Sequence, residues 1–166
     1  MPRIAHISVL TLALAIVMAS LPAQEYHTTE QWRAKYNHEP DPVRKAKLLL
    51  PLGEAEFRDA ETALANDQTA EAIDILKKYL NEAQTSEKAL EDKFPDAERH
   101  ANGYKQLQIS LRESLRRLDA MIVGLTEDDR KPFVEIHGQL DEIDRHLIQM
   151  LFPKQPANDA AGKPKR

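Results

Sequence analysis

Apolar residues recur three and four positions apart along most of this chain, which is the spacing of one face of an α-helix. The longest such run extends from Ala97 to Leu125, and its one polar member is Gln108. A second run with the same spacing extends from Phe133 to Met150. No segment alternates apolar and polar residues with the period of two that a half-buried strand requires. The pattern therefore predicts an all-α protein without a sheet.

Two earlier segments carry the same helical pattern. The first begins at Asp41 and Pro42, an N-cap residue followed by a first-turn proline, and ends near Leu64. The second covers residues 69–94. Pro51 lies inside the first segment, where its missing N–H and its ring are expected to kink or split the helix.

The third and fourth long helices have their own boundary residues. Pro95 and Asp96 suit a first helical turn, and Gly124 marks the end of the third helix. Thr126 is a natural N-cap for the fourth helix, which Pro153 ends. We therefore expect helices over about 95–124 and 126–152.

A short helix is expected ahead of these four, because Thr28 and Gln31 form a capping-box pattern within residues 24–40. Short turns then predict an antiparallel up-down bundle of about four helices over residues 41–152, its first helix kinked at Pro51. Small residues on the first two long helices should let them approach closely: Gly53, Ala60, Ala63, Ala72 and Ala83.

The two ends of the chain differ from this body. Residues 1–23 combine Arg3 with an apolar stretch and end in small residues at Ala23, as a secretion signal peptide does. We expect cleavage there and export to the periplasm or the extracellular space; an uncleaved N-terminal anchor is the alternative. Residues 153–166 are rich in proline and basic side chains and are expected to be a disordered tail.

The composition narrows the function classes. The 166 residues are 42% apolar and 30% charged, with a net charge of −4 and no cysteine. The absence of cysteine excludes a disulfide scaffold and a thiolate metal site. A slightly acidic chain lacks the basic surface typical of nucleic-acid binding, so no nucleic-acid partner is expected. If the leader is removed, no stable membrane insertion is expected either.

No catalytic or metal-binding motif stands out. Neither the His-Glu-x-x-His pattern nor the Glu-x-x-His pair of di-iron bundles occurs. Three pairs of a histidine and a carboxylate are spaced four apart, as surface ion pairs on one helix are: Asp96 with His100, His137 with Asp141, and Glu142 with His146. We therefore expect a protein without enzymatic activity, cofactor or resident metal. A bundle that binds haem is an alternative, because Met121 and Met150 beside the apolar face are possible haem ligands.

Two sets of residues are candidates for binding a partner. Trp32 and Tyr36 lie four positions apart on the short helix. They could form an aromatic patch that binds a partner, or they could pack across an open side of the bundle. Arg112 and Arg116, with the adjacent Arg117, could bind an anionic partner, although interleaved acids also fit a solvated face.

Two short segments resemble known families. Residues 66–80, NDQTAEAIDILKKYL, resemble the second helix of a tetratricopeptide repeat in Glu71-Ala72-Ile73 and Leu76. This resemblance implies a helical hairpin of a protein-binding kind, present in one copy. Leu125-Thr126 followed by EDDR is similar to the Leu-Thr-x-x-Gln motif of small periplasmic helical chaperones and stress sensors, with Asp129 in place of the glutamine. That similarity implies a concave surface that binds client proteins.

Together these observations predict an exported, non-enzymatic helical protein that acts in protein interaction or in the structure of the cell envelope. A bundle that carries a small ligand, metal or haem is one alternative. A periplasmic chaperone or stress sensor is another. The apolar faces can be buried within one chain or by dimerisation.

Overall fold

The computed structural model describes residues 28–153; the expected leader, the start of the N-terminal segment and the basic tail after Pro153 lie outside the described residues. The described part forms five helices: α1 Thr29–His38, α2 Pro42–Ala65, α3 Thr69–Lys93, α4 Ala101–Val123 and α5 Glu127–Leu151. No strand occurs within it. The all-α prediction is confirmed, with four long helices after a short one. None of these helices has both the length and the apolar character needed to cross a bilayer.

Three predicted helix caps are confirmed. The side-chain oxygen of Thr28 accepts a hydrogen bond from the backbone N–H of Gln31, and the Gln31 side chain accepts one from the backbone N–H of Thr28. Asp41 and Thr126 each accept a bond from the backbone N–H three residues further on. These bonds satisfy donors that a helix start otherwise leaves unpaired, so α1, α2 and α5 begin where local sequence places them.

The long helix α2 passes through Pro51 without interruption. The expectation that Pro51 splits this helix is therefore wrong, whereas a bend there stays a prediction. Leu49 and Leu52 on either side of the proline are fully buried. Their burial offsets the loss of one backbone hydrogen bond, so tertiary packing keeps both halves helical.

The directions of the helices follow from side-chain contacts. Gly103 near the start of α4 lies against Val43 near the start of α2, while Arg117 near the end of α4 bonds to Glu61 near the end of α2. These two helices therefore run parallel. α2 and α5 each pack along α3 and α4 but do not contact each other within the described residues, whereas α3 and α4 meet only loosely. This arrangement is consistent with a bundle of four long helices.

This arrangement explains a boundary that the sequence predicted wrongly. Pro95 and Asp96 do not start α4, because residues 94–100 form a connection between α3 and α4. Asp96 instead caps a separate turn by accepting a bond from the backbone N–H of Arg99 at 3.1 Å. Since α3 and α4 lie across the bundle from each other, their connection has to be longer than the three-residue turns at the other three junctions.

The core contains most residues of the predicted helix faces, together with several polar side chains. Every residue of the predicted α3 face is buried: Ala72, Leu76, Tyr79, Ala83, Ser86 and Leu90. On α4 the buried line passes through Ser110 and Ser114, whereas Gln108 is only partly buried. The hydroxyl of Ser114 donates a 2.6 Å hydrogen bond to that of Tyr79. A buried serine thus takes a place in the core because a tyrosine on the opposing helix needs a partner.

Candidate functional site

Three titratable side chains, one each from α1, α2 and α3, meet where α1 packs against the other two helices. Nη2 of Arg33 on α1 lies 2.5 Å from Oε1 of Glu56 on α2, and its Nε lies 3.4 Å from Oε1 of Glu82 on α3. Glu56 is fully buried and Glu82 is 8% exposed. The Arg33 side chain keeps 29% of its surface exposed. One guanidinium therefore faces two enclosed carboxyl groups.

The surroundings of these carboxyl groups favour their neutral form. Burial, reinforced by the charge of Glu82, raises the pKa of Glu56 to about 8. Burial also raises the pKa of Glu82. The Oε2 atom of each carboxyl group is shielded from solvent and has no hydrogen-bond partner among residues 28–153. Glu56 is therefore mostly protonated at neutral pH, which removes the repulsion between the two groups.

Hydroxyl groups fix α1 on either side of this cluster. The hydroxyl of Tyr36 donates a 2.6 Å bond to the backbone carbonyl of Glu82 and lies 2.8 Å from the hydroxyl of Ser86. At the other end of α1, the hydroxyl of Thr29 donates a 2.5 Å bond to Oδ2 of Asp59. A ten-residue helix is marginal on its own, so these contacts account for the position of α1 on the bundle.

A groove of about 360 Å³ opens beside the cluster, between the start of α1, the end of α2 and the start of α3. Its walls carry hydroxyl, amide and charged groups, among them Thr29, Arg33, Asp59, Thr62, Asn66 and Lys78. These groups can donate and accept hydrogen bonds, but acidic and basic side chains lie close together. The groove can hold a polar group and has no marked preference for a cation or an anion.

The predicted aromatic pair on α1 does not form one exposed patch. Tyr36 is 2% exposed and belongs to the core. Trp32 is partly buried and packs against the edge of the same core, with Nζ of Lys35 4.4 Å from the centre of its ring. The structure thus supports, for Tyr36, the alternative of packing across an open side of the bundle.

The predicted arginines lie on two different sides of α4. Arg112 and Arg116 point to solvent, with 63% and 75% of their side chains exposed. Arg117 turns towards α2, where it bonds to Glu61 at 2.7 Å and lies over the ring of Phe57. Arg117 therefore holds two helices together, and only Arg112 and Arg116 remain as candidates for contact with a partner.

Two apolar residues share the solvent side of α4 with these arginines. Ile109 is 53% exposed and Val123 is 81% exposed. Helical spacing places both on the same side as Arg112 and Arg116. We call these four residues the α4 outer face. Sequence reasoning missed its apolar members, because Ile109 and Val123 lie outside the line of apolar residues that predicts the buried face of this helix.

Acidic neighbours partly balance the arginines of the α4 outer face. Arg116 bonds to Glu113 one turn away on the same helix. Nε of Arg112 lies 3.8 Å from Oδ1 of Asp144 on α5. Asp144 is itself buried, and burial raises the pKa of its carboxyl group. Both arginines still extend past these acids into solvent.

The histidines pair between helices rather than along them. The side chain of His137 contacts Asp119 on α4 at 3.1 Å, not Asp141 one turn away on α5. His100 instead packs against the ring of Phe94, with 5.0 Å between ring centres. The predicted surface pairs of one helix are thus replaced by contacts to neighbouring elements, which the sequence spacing alone does not encode.

His146 belongs to a group of three side chains of the kinds that bind metal ions. Nδ1 of His146 on α5 lies 2.9 Å from Oε1 of Glu87 and 3.4 Å from Oε1 of Glu91, both on α3. Glu142, the predicted partner of His146, lines a hollow of about 260 Å³ together with His146 and Glu87. One ligand atom from each of the three residues lies within 4.8 Å of the others. The sequence predicted no metal site, because its ligands are contributed by two helices far apart in the chain.

Comparison of the chain with protein-family models, with curated proteins and with solved structures gives no significant match. Functional inference for this protein therefore depends on its own residues and their geometry.

Proposed function

We propose that this protein is an exported, non-enzymatic helical module that binds a protein partner through the α4 outer face. The observation that carries this proposal is the placement of exposed Ile109 and Val123 on the same side of one helix as Arg112 and Arg116. Arginine is enriched where binding energy concentrates at interfaces, and apolar side chains supply area for burial. The helix presents these groups on a rigid element.

The charges on this surface favour an acidic partner. Arg112 and Arg116 extend into solvent, while Glu113 and Asp144 neutralise them only in part. A partner with an apolar strip beside carboxylate groups would complement both features. The likeness of residues 66–80 to a tetratricopeptide helix is consistent with protein binding, although that segment lies elsewhere, on the turn before α3 and its first half.

The interface can be tested by capture with two matched variants of the intact chain. Arg112→Glu combined with Arg116→Glu reverses two exposed charges on the α4 outer face. Arg99→Glu combined with Arg145→Glu makes the same charge change elsewhere, at side chains that are 83% and 62% exposed. We expect the first variant to lose at least tenfold in capture of a specific envelope protein, whereas the control captures it as wild type does.

Equal loss in both variants would mean that net charge, not the α4 outer face, determines capture, and equal retention would remove this face from the proposal. Ile109→Ser tests the apolar part without changing charge. Its capture should fall while circular dichroism at 222 nm stays unchanged.

Export is the second part of the proposal, and residues 1–23 support it through their charge and apolar pattern. Mass spectrometry of the protein recovered from cell fractions tests it. A mature chain that begins at Gln24 outside the cytoplasm is the expected result. A full-length chain in the cytoplasmic fraction would contradict export, and a full-length chain in the membrane fraction would favour the anchored alternative.

A further inference from the structure

We propose that Glu87, Glu91 and His146 form a binding site for a divalent transition-metal ion of the zinc class. The three side chains project from two helices that pack against each other, α3 and α5. Neither the leader nor the α4 outer face contributes to this site, so the inference is independent of the proposed function.

The distances fit shared coordination of one ion. Zinc binds histidine nitrogen and carboxylate oxygen at about 2.0–2.2 Å, so neighbouring ligand atoms of a tetrahedral site lie about 3.3–3.6 Å apart. Nδ1 of His146 is 2.9 Å from the Glu87 oxygen and 3.4 Å from the Glu91 oxygen. Small side-chain rotations would bring the His146 nitrogen and the two glutamate oxygens to three corners of a coordination tetrahedron.

The two carboxylates need a positive neighbour. Glu87 and Glu91 are one turn apart on α3, so both point to the same side of the helix. Oε1 of Glu91 is shielded from solvent and has no hydrogen-bond partner among the described residues. A divalent ion would bind this oxygen directly and offset the repulsion between the two carboxylates.

The ligand types decide the class of metal. An imidazole nitrogen with two carboxylates suits zinc and neighbouring transition metals, whereas magnesium and calcium prefer oxygen ligands alone. Three protein ligands leave the fourth position open. The adjoining hollow, with Gln84, Gln139 and Glu142 on its walls, has room for water at that position. An ion bound here would link α3 to α5.

Zinc titration of the full chain after removal of metals by a chelator tests the site. We expect one equivalent to bind in isothermal titration calorimetry and to raise the thermal unfolding temperature. His146→Ala and Glu91→Gln should each weaken binding at least tenfold. His137→Ala is the matched control, because that histidine also lies on α5 and contacts a carboxylate, on Asp119. The control should bind zinc as wild type does.

Each other outcome has a defined meaning. Absence of stoichiometric binding to wild type would overturn the proposal. Wild-type binding by His146→Ala, or equal weakening by His137→Ala, would also overturn it, because zinc would then bind elsewhere or to surface histidines in general. His146 is exposed enough for its alanine variant to fold, and circular dichroism without metal verifies this directly.

Discussion

Nη2 of Arg33 lies 2.5 Å from Oε1 of Glu56, whose carboxyl group is fully enclosed. This contact joins α1 to α2, and Glu82 approaches the same guanidinium from α3. Buried ion pairs contribute little net stability compared with apolar substitutes, but removal of one partner leaves an uncompensated group in the interior. The position of α1 therefore depends on a small number of polar contacts.

Replacement of Arg33 tests this dependence. Arg33→Met preserves much of the side-chain volume but removes the only cation that faces Glu56 and Glu82 at these distances in the described part of the chain. We expect the free energy of unfolding to fall by about 2–4 kcal/mol, near the lower end for broken buried pairs because Arg33 is partly exposed. Urea unfolding followed by circular dichroism measures the change.

The arginine on α5 provides the control for this substitution. Arg145→Met removes an exposed ion pair with Asp141, so its effect should stay within about 0.5 kcal/mol. Adding Glu82→Gln to Arg33→Met should recover part of the loss, because the enclosed carboxylate that faced the guanidinium at position 82 is then removed. Equal effects of the two arginine substitutions would show that the buried cluster does not hold α1.

The raised pKa of Glu56 predicts that stability falls as pH rises. An unfolded glutamate loses its proton near 4.5, whereas folded Glu56 retains it to about 8. Between these values the folded state binds more protons, so the free energy of unfolding decreases with pH. The decrease can reach at most about 1.4 kcal/mol per pH unit for one proton. Urea midpoints measured at pH 5, 6, 7 and 8 should show this trend.

Glu56→Gln should remove most of that slope, since glutamine keeps the shape of the side chain but does not titrate. Glu135→Gln, at an exposed position on α5, should leave the slope as in wild type. Parallel curves for wild type and Glu56→Gln between pH 5 and 8 would contradict the assignment.

Much of the fold follows from local sequence, because helical periodicity and capping act over a few residues. The α3 face from Ala72 to Leu90 and the cap at Thr126 were predictable for that reason. The burial of Glu56 was not, since its neighbours Ala55 and Phe57 do not show that an arginine on another helix will enclose it. The start of α4 was missed because it depends on which helices pack side by side.

The candidate site residues also fall into those that local sequence indicated and those that only the packing of the helices defines. Arg112 and Arg116 were recognisable as exposed basic residues, because they lie one turn apart among polar residues. Arg117 looked equivalent in sequence, but it bonds to Glu61 on a different helix. The cluster of Glu87, Glu91 and His146 left one local signal, two carboxylates spaced four apart, and the histidine that completes it comes from α5.

The close contact of α2 with α3 gives a prediction with an internal control. A Cβ atom at Gly53 would lie 2.7 Å from Cε2 of Tyr79, whose ring is fully buried. Although alanine favours a helix by about 1 kcal/mol, the forced shift of the ring should make Gly53→Ala destabilising by about 1–2 kcal/mol net. Thermal and urea unfolding measure this loss.

Gly138 on α5 is the matched position, because nothing lies within 4 Å of an added Cβ atom there. Gly138→Ala should stabilise the protein by up to about 1 kcal/mol through helix propensity alone. If both substitutions stabilise the protein, the ring of Tyr79 is free to move away and the contact does not restrict this position.

The hydroxyl of Tyr36 provides the last prediction. It donates to the backbone carbonyl of Glu82 and contacts the hydroxyl of Ser86, and all of these groups are buried. Tyr36→Phe should cost about 1–3 kcal/mol, because buried polar atoms lose their partner. Ser86→Ala should cost less, since the bond to the carbonyl remains. Hydrogen exchange should show faster opening of α1 in Tyr36→Phe, with partner capture by the α4 outer face unchanged. A drop in capture without loss of stability would instead assign Tyr36 to the binding surface.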